Sequence, residues 1–202
     1  MVDLFVKGGN FMWPILGIFI MGLIFVGERL VHLLSTKNDN TDFAENVASQ
    51  LDGAGALEAQ TLCESGKGPI PNLLATGLEN LDKEMSDIEK SIDSQANVEM
   101  SSLEKNMTWI ALCIATAPML GFLGTVWGMV GAFEKIAEAD NISASIEAGG
   151  ISEALLTTAF GVVVAVVLQI LQNTVLYIID NKVVSMQKAV NLLMGSIEKL
   201  KK

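Results

Sequence analysis

A one-sided row of polar and small residues marks an uncharged segment, residues 154–179, that is long enough to cross a bilayer. At about 100° per residue on a helix, the row occupies roughly half of the circumference and comprises Glu153, Thr157, Thr158, Gly161, Ala165, Gln169 and Gln172. The opposite side carries the aliphatic residues Val162, Val163, Val166, Val167 and Ile170. Unpaired polar groups are costly in hydrocarbon. The pattern therefore predicts that this row faces protein or water, as it does in a membrane assembly with an internal polar path.

Small residues also recur on one face of an earlier apolar segment, with Thr125 at the edge of that face. They are Gly121, Gly124, Gly128 and Gly131. Such repeats allow close helix contact in a bilayer and predict a tight helix–helix seam. In a functional interpretation, Thr125 lines a cavity that the glycines keep narrow. Pro118 removes a backbone donor and can bend this segment.

Each polar group also has a purely structural interpretation. Glu153 suits the first turn of a helix, where the helix dipole favours a carboxylate. Thr157 and Thr158 can bond back to carbonyls one turn earlier, and Gln169 and Gln172 can bond between helices. Because these groups occur together with Thr125, an ion pathway through Thr125, Thr158, Thr157 and Glu153 is the functional hypothesis.

Other classes of function find little support in the sequence. The net charge of −10 argues against nucleic-acid binding. No sequence motif joins the histidine His32 to a catalytic group, and the sequence shows no nucleophile–base set, metal cluster or phosphate loop. We therefore expect no enzyme activity, catalytic residue, metal or cofactor. Cys63 and Cys113 give no disulfide framework.

Three apolar stretches in an otherwise polar chain predict an all-α membrane protein with three transmembrane helices. The first lacks a small-x-small cleavage site and is interpreted as a retained span. The predicted order is a periplasmic N-terminus (1–10), spans at 11–34, 107–133 and 151–179, a cytoplasmic helical region (35–106), a periplasmic connection (134–150) and a cytoplasmic C-terminal helix (180–202). Arg29, Lys105 and Lys182 at the span ends place the long connection and the tail in the cytoplasm.

The polar regions also contain helical patterns. Gly53 and Gly55 are expected to break short helices, and residues 66–71 form a further break. After that break, apolar residues spaced by three and four run from Leu74 to Ile92, and no breaker precedes Trp109, so one helix is predicted to continue into the second span. In the tail, the apolar positions are Val183, Met186, Val190, Leu193, Ile197 and Leu200. The second and third spans should therefore extend into a cytoplasmic helical bundle.

Three motifs resemble the ExbB proteins of the MotA/TolQ/ExbB proton channel family. They are residues 9–14 (GNFMWP) followed by Glu28-Arg29-Leu30, residues 117–129 (APMLGFLGTVWGM) and residues 150–159 (GISEALLTTA). The resemblance implies a motor subunit of the inner membrane. It implies a homopentamer around a dimer of an ExbD-like single-span protein, whose span carries the ion-binding Asp, with a TonB-like protein passing the motion to outer-membrane transporters. By motif position, Thr125 and Thr158 would be the pore hydroxyls and Glu153 the outer acidic group.

Several alternatives stay open. The Thr157-Thr158 doublet also resembles sodium-driven flagellar stators, although protons are favoured. A TolQ-like role in envelope constriction and a passive oligomeric membrane scaffold are the other candidate functions.

Overall fold

The computed structural model describes residues 2–35, 41–138 and 144–201, and these residues form helices without a β-strand. The helices are α1 (Val2–Lys7), α2 (Met12–Ser35), α3 (Thr41–Gly53), α4 (Ala56–Ser65), α5 (Pro69–Glu79), α6 (Met85–Leu103), α7 (Met107–Glu138) and α8 (Ala144–Leu200). The all-α prediction is confirmed. The parts of the predicted connections at residues 36–40 and 139–143 lie outside the described residues.

Three of the described helices are long and apolar enough to cross a membrane, as the sequence predicts. The candidate spans are Met12–Ser35, Met107–Ala137 and Gly149–Leu200. Their apolar side chains remain largely exposed to the surroundings, with Ile24 at 64% and Phe122 at 66% exposure. Exposed apolar surfaces of this size are stable in the hydrocarbon core of a bilayer, which is the environment that these three helices fit.

The chain divides into two compact units. The first contains the described residues up to Arg29 and those from Asn106 to Val175. Its core is small and apolar, formed by the buried side chains of Ile15, Cys113, Ala117, Val164, Ala165 and Leu168. The remaining described residues form the second unit, in which α3, α4, α5 and α6 pack against one another.

The second unit is a helical bundle that also includes the last part of α8. A Cβ on Gly77 would lie 2.7 Å from Leu193 Cδ2 and 3.0 Å from Ile92 Cδ1, so the α5 backbone lies directly against α6 and α8 side chains. Met186, Leu193 and Ile197 are buried as the spacing predicts, whereas Leu200 is exposed. The predicted helical tail, continuous with the third span, is confirmed.

The predicted unbroken helix before the second span is wrong, because the chain turns twice. It first reverses between α5 and α6, where the N–H of Lys83 donates to the carbonyl of Asn80 at 3.0 Å. The apolar spacing of three and four simply continues across this turn. Leu78 on α5 and Ile88 on α6 are both buried, because the two antiparallel helices pack against each other. Their spacing in the sequence is the same as it would be on the apolar face of one long helix.

The second turn separates α6 from α7 at residues 104–106. Asn106 has φ of +66°, the left-handed conformation that asparagine tolerates better than most residues. Its Nδ2 donates to Glu28 Oε2 at 3.0 Å, and its carbonyl accepts from the N–H of Trp109 at 3.1 Å. A tertiary hydrogen bond therefore fixes a helix end that contains no Gly or Pro.

The Cys63 thiol of the second unit gives a testable pH dependence. Burial, with a smaller contribution from the Glu64 carboxylate, raises its pKa from the ordinary 9.0 to about 11. Because the unfolded thiol ionises first, this group lowers stability as the pH rises from 9.0 towards 11. We expect alkylation by N-ethylmaleimide at pH 8 to be about a hundredfold slower than in urea-unfolded protein. Peptide mass spectrometry measures the rate, and equal folded and unfolded rates would contradict the assignment.

Candidate functional site

Helices α7 and α8 approach each other backbone to backbone in the first unit. A Cβ on Gly161 would lie 2.6 Å from the carbonyl oxygen of Ala117 and 3.2 Å from the Cα of Gly121. A Cβ on Gly121 would in turn lie 2.9 Å from the carbonyl oxygen of Thr157. Only residues without side chains fit at this contact, so the glycines create the seam that the sequence predicts.

The seam follows three of the four predicted α7 glycines. Gly124 contacts Thr157, and Gly128 contacts the backbone of Ala154. Gly131 has open space around it and does not take part in this contact. Pro118 lies inside α7, and because it has no N–H, the carbonyl of Ile114 lacks its usual helical donor.

The seam brings two of the predicted hydroxyl groups together. Thr125 and Thr158 are hydrogen-bonded to each other through their side-chain oxygens. Thr125 Oγ1 also lies 3.1 Å from the Ala154 carbonyl oxygen, and Thr158 Oγ1 lies 3.2 Å from that of Gly121. Both side chains are partly exposed, so the cluster has one side inside the seam and one side open to the surroundings.

This cluster has more acceptors than hydrogens. The two hydroxyl groups supply two hydrogens, whereas Thr125 Oγ1 alone lies within reach of the carbonyls of Gly121 (3.3 Å) and Ala154 (3.1 Å) and of the Thr158 oxygen. At least one lone pair is therefore left to accept a hydrogen from a water or hydronium. An oxygen cluster of this kind can exchange hydrogen bonds with a passing ion or water without rearranging the helices.

Thr157 occupies a different environment from Thr158, although the two are neighbours in the chain. It is 1% exposed, and its Oγ1 donates to the carbonyl of Ala154 at 2.8 Å. This is the back-bonded geometry of the structural interpretation. Thr157 forms the wall of the seam against Gly124, whereas Thr158 reaches across to the other helix.

The carboxylate of Glu153 lies against the N-terminal segment. Gly9, with φ of +71°, is so close that a Cβ there would lie 2.6 Å from Glu153 Cδ and would overlap Oε1. Phe5 anchors the segment by edge-to-face contacts with Trp13 and Phe160, at ring-centroid distances of 5.3 and 5.9 Å. The sequence analysis missed this contact, although the adjacent glycines Gly8 and Gly9 were a signal for close backbone approach.

The lower part of the predicted polar row does not join this cluster. Gln169 is exposed, and its Nε2 donates to Asn173 Oδ1 at 3.1 Å and lies 3.5 Å from Gln172 Oε1. These bonds run along α8 itself. The opposite face is exposed as predicted, with Val163 at 57% and Ile170 at 61%. Among the described residues no group of His, Cys, Asp and Glu is arranged to hold a metal ion.

The fold and the seam together define a multi-pass helical membrane protein with a hydroxyl cluster between two of its spans. The sequence profile of the MotA/TolQ/ExbB proton channel family matches residues 65–188. The chain belongs to this family, and the match includes the seam residues of both α7 and α8.

Individual relatives are similar over different lengths. A biopolymer transport protein ExbB homologue of Methanothermobacter thermautotrophicus is 28% identical over 183 residues, which are 90% of this chain and 65% of that protein. The biopolymer transport protein ExbB of Xanthomonas campestris is 39% identical over 79 residues, or 39% of this chain and 31% of the relative. The Tol-Pal system protein TolQ of Haemophilus influenzae is 34% identical over 77 residues, or 38% and 34% of the two chains. The matches thus span less than two thirds of the length of each of these three relatives.

The helix seam yields a stability prediction. Gly161→Ala should lower the free energy of unfolding by about 1–3 kcal/mol, because the new methyl group meets backbone that cannot rotate away. Gly131→Ala is the matched control on the predicted glycine row, and with open space around it the change should be neutral or slightly stabilising. Thermal unfolding of the detergent-solubilised protein measures both. Equal midpoints for the two variants would contradict the seam.

The contact between Gly9 and Glu153 gives a second prediction. Gly9→Ala should destabilise the protein, both through its positive φ and through overlap with the carboxylate. In a Glu153→Ala background only the φ cost remains, so the same change should be milder. Thermal midpoints of the four proteins in this double-mutant cycle measure the coupling. Additive effects would show that the two residues do not touch.

Proposed function

We propose that this chain is the ion-conducting subunit of an inner-membrane motor, a TonB-ExbB-ExbD-type complex that uses the proton motive force to energise outer-membrane transport. The observation that carries this proposal is the partly exposed cluster of Thr125 and Thr158 between α7 and α8. Glu153 lies one turn before Thr157 and five residues before Thr158, within the same half of the α8 circumference. Family membership supports the same class of activity.

A hydroxyl cluster can assist ion transfer but cannot carry the charge alone. A threonine side chain does not ionise in the physiological range, so an ion path needs a carboxylate that can be loaded and discharged. The uncharged apolar stretches at residues 12–27, 107–133 and 154–179 contain no Asp. We therefore infer that a partner supplies it, from a dimer of an ExbD-like single-span protein inside a homopentamer of this chain.

The roles of the four polar residues follow from their surroundings. Thr125 and Thr158 are the hydroxyls that the ion or its water meets, because they are partly exposed. Glu153 is the acidic group near the outer mouth, held against the N-terminal segment. Thr157 is the buried residue that packs beside the path, and its contact with α7 holds the neighbouring Thr158 opposite Thr125. Protons are the favoured ion, and sodium is the alternative because several oxygens converge here.

The proposed topology has the N-terminus in the periplasm and the C-terminus in the cytoplasm. Positive charges near the inner ends of the spans, Arg29, Lys105 and Lys182, support it. The helical bundle of the second unit would then brace the ring on the cytoplasmic side, and a TonB-like protein would transmit the motion outward.

Two other functions remain candidates. The similarity to TolQ of Haemophilus influenzae supports a motor in envelope constriction, with the same ion path but different partners. A passive membrane scaffold is supported by Thr157, because its side chain is buried and its hydroxyl is already hydrogen-bonded to the carbonyl of Ala154. A polar residue of this kind serves helix packing alone.

The decisive experiment substitutes the hydroxyls with a residue of the same shape. Thr158→Val or Thr125→Val should reduce energised transport by about tenfold or more, because the path loses its hydrogen-bonding groups. Thr174→Val is the matched control, since Thr174 is exposed on the same helix and bonds only back to the carbonyl of Ile170. Complementation of strains that lack the outer-membrane-transport motor or the constriction motor distinguishes the two motor roles.

Assembly must be measured alongside activity. Native mass spectrometry of the chain with its single-span partner should show the same ring for the wild type and for each valine variant. Full activity in both variants would refute the ion-path roles. Loss of the ring in the variants would favour the scaffold.

A further inference from the structure

A cavity of about 380 Å³ with both polar and apolar lining lies within the second unit. It is lined at the end of α2 by His32 and Ser35, at the start of α5 by Lys67 and Asn72, and on α6 by Glu99 and Ser102. Its volume is within the range of small-molecule sites. The proposed ion path does not use any of these residues.

The end of α2 brings this cavity to the level of lipid headgroups. A helix of 24 residues is about 36 Å long, whereas the hydrocarbon core is about 30 Å thick. The apolar run of α2 is interrupted by the paired charges of Glu28 and Arg29, 2.6 Å apart, before His32 is reached. The last turn of α2 therefore extends beyond the hydrocarbon.

The cavity lining carries charge of both signs. Lys67 contributes an ammonium group, and His32 contributes an imidazole ring with an N–H donor. Glu99 contributes a carboxylate whose Oε1 accepts from Asn72 Nδ2 at 2.7 Å and from Gln95 Nε2 at 3.0 Å. These two amides fix the orientation of the carboxylate. A simple anion would be repelled by Glu99 and a simple cation by Lys67, so a ligand with both charges fits best.

We propose that this cavity binds the phosphoethanolamine headgroup of a zwitterionic aminophospholipid. Its phosphate bonds to Lys67 and His32, and its ammonium group bonds to Glu99. A lipid is favoured over a free headgroup because Val31, one helical turn before Ser35 and on the same side of α2, is 70% exposed. An acyl chain can cover this side chain, which water would leave exposed.

Lipid retention by the purified protein tests the proposal. After incubation with phosphatidylethanolamine, phosphatidylglycerol or phosphatidylcholine of equal acyl chains, native mass spectrometry counts the bound lipid. We expect the amount of bound phosphatidylethanolamine to exceed that of each other lipid about threefold to fivefold. This ratio corresponds to one additional, partly exposed ion pair between the headgroup ammonium and Glu99. Equal retention of the three lipids would overturn the proposal.

Two variants separate the charges. Lys67→Gln should reduce retention of both phosphatidylethanolamine and phosphatidylglycerol, because both carry the phosphate. Glu99→Gln, which keeps an acceptor for Asn72 and Gln95, should lower phosphatidylethanolamine to the level of phosphatidylglycerol. The matched controls Lys90→Gln and Glu45→Gln change exposed residues outside the cavity and should leave retention unchanged. An unaltered lipid preference in Glu99→Gln would refute the role of the carboxylate.

Soluble competitors identify the source of the headgroup. If the cavity binds lipid, neither inorganic phosphate nor phosphoethanolamine at millimolar concentration should displace the bound phosphatidylethanolamine. Displacement by inorganic phosphate alone would show an anion site and overturn the zwitterion assignment. Displacement only by phosphoethanolamine would retain the headgroup chemistry and overturn the lipid source. Thermal midpoints within the wild-type range confirm that each variant is folded.

Discussion

The close approach of α7 and α8 is the constraint on which the first unit depends. In hydrocarbon, apolar burial gives no drive for helices to associate, so contact must come from van der Waals packing and polar bonds. Gly121 and Gly161 remove the side chains that would hold the backbones apart. Once the backbones meet, a hydroxyl on either helix reaches a carbonyl on the other, which explains why Thr125 and Thr158 bond across the seam.

The same seam separates a buried threonine from a partly exposed one. Adjacent threonines on a helix point about 100° apart, so when Thr157 faces directly into the contact, Thr158 must lie at its edge. The buried hydroxyl of Thr157 is satisfied within α8, and the partly exposed hydroxyl of Thr158 is shared with α7. A doublet at this position thus gives one buried packing residue and one partly exposed hydroxyl, and only the second meets the need of the proposed ion path.

Two polar arrangements outside the seam lie at the ends of helices. Glu28 bonds to its neighbour Arg29 and to Asn106, which ends the turn before α7. Arg29 is only 2% exposed, so its charge is compensated within the protein and not by solvent. At the other end of the first unit, Glu153 is covered by a segment that reverses at Gly9. In both arrangements a carboxylate contacts a turn: Glu28 accepts a hydrogen bond from Asn106, and Glu153 packs against Gly9.

The sequence by itself determined the helical class, the three spans and the face of α8 that is polar, because these follow from local composition and period. It also located the glycine contact and both seam hydroxyls. It did not determine the turns at residues 80–84 and 104–106, since neither contains Gly or Pro and the apolar spacing continues through the first. Only the tertiary structure decided them, through antiparallel packing of α5 on α6 and the bond from Asn106 to Glu28. The contact of Gly9 with Glu153 joins residues far apart in the chain, and no local pattern encodes such a distance.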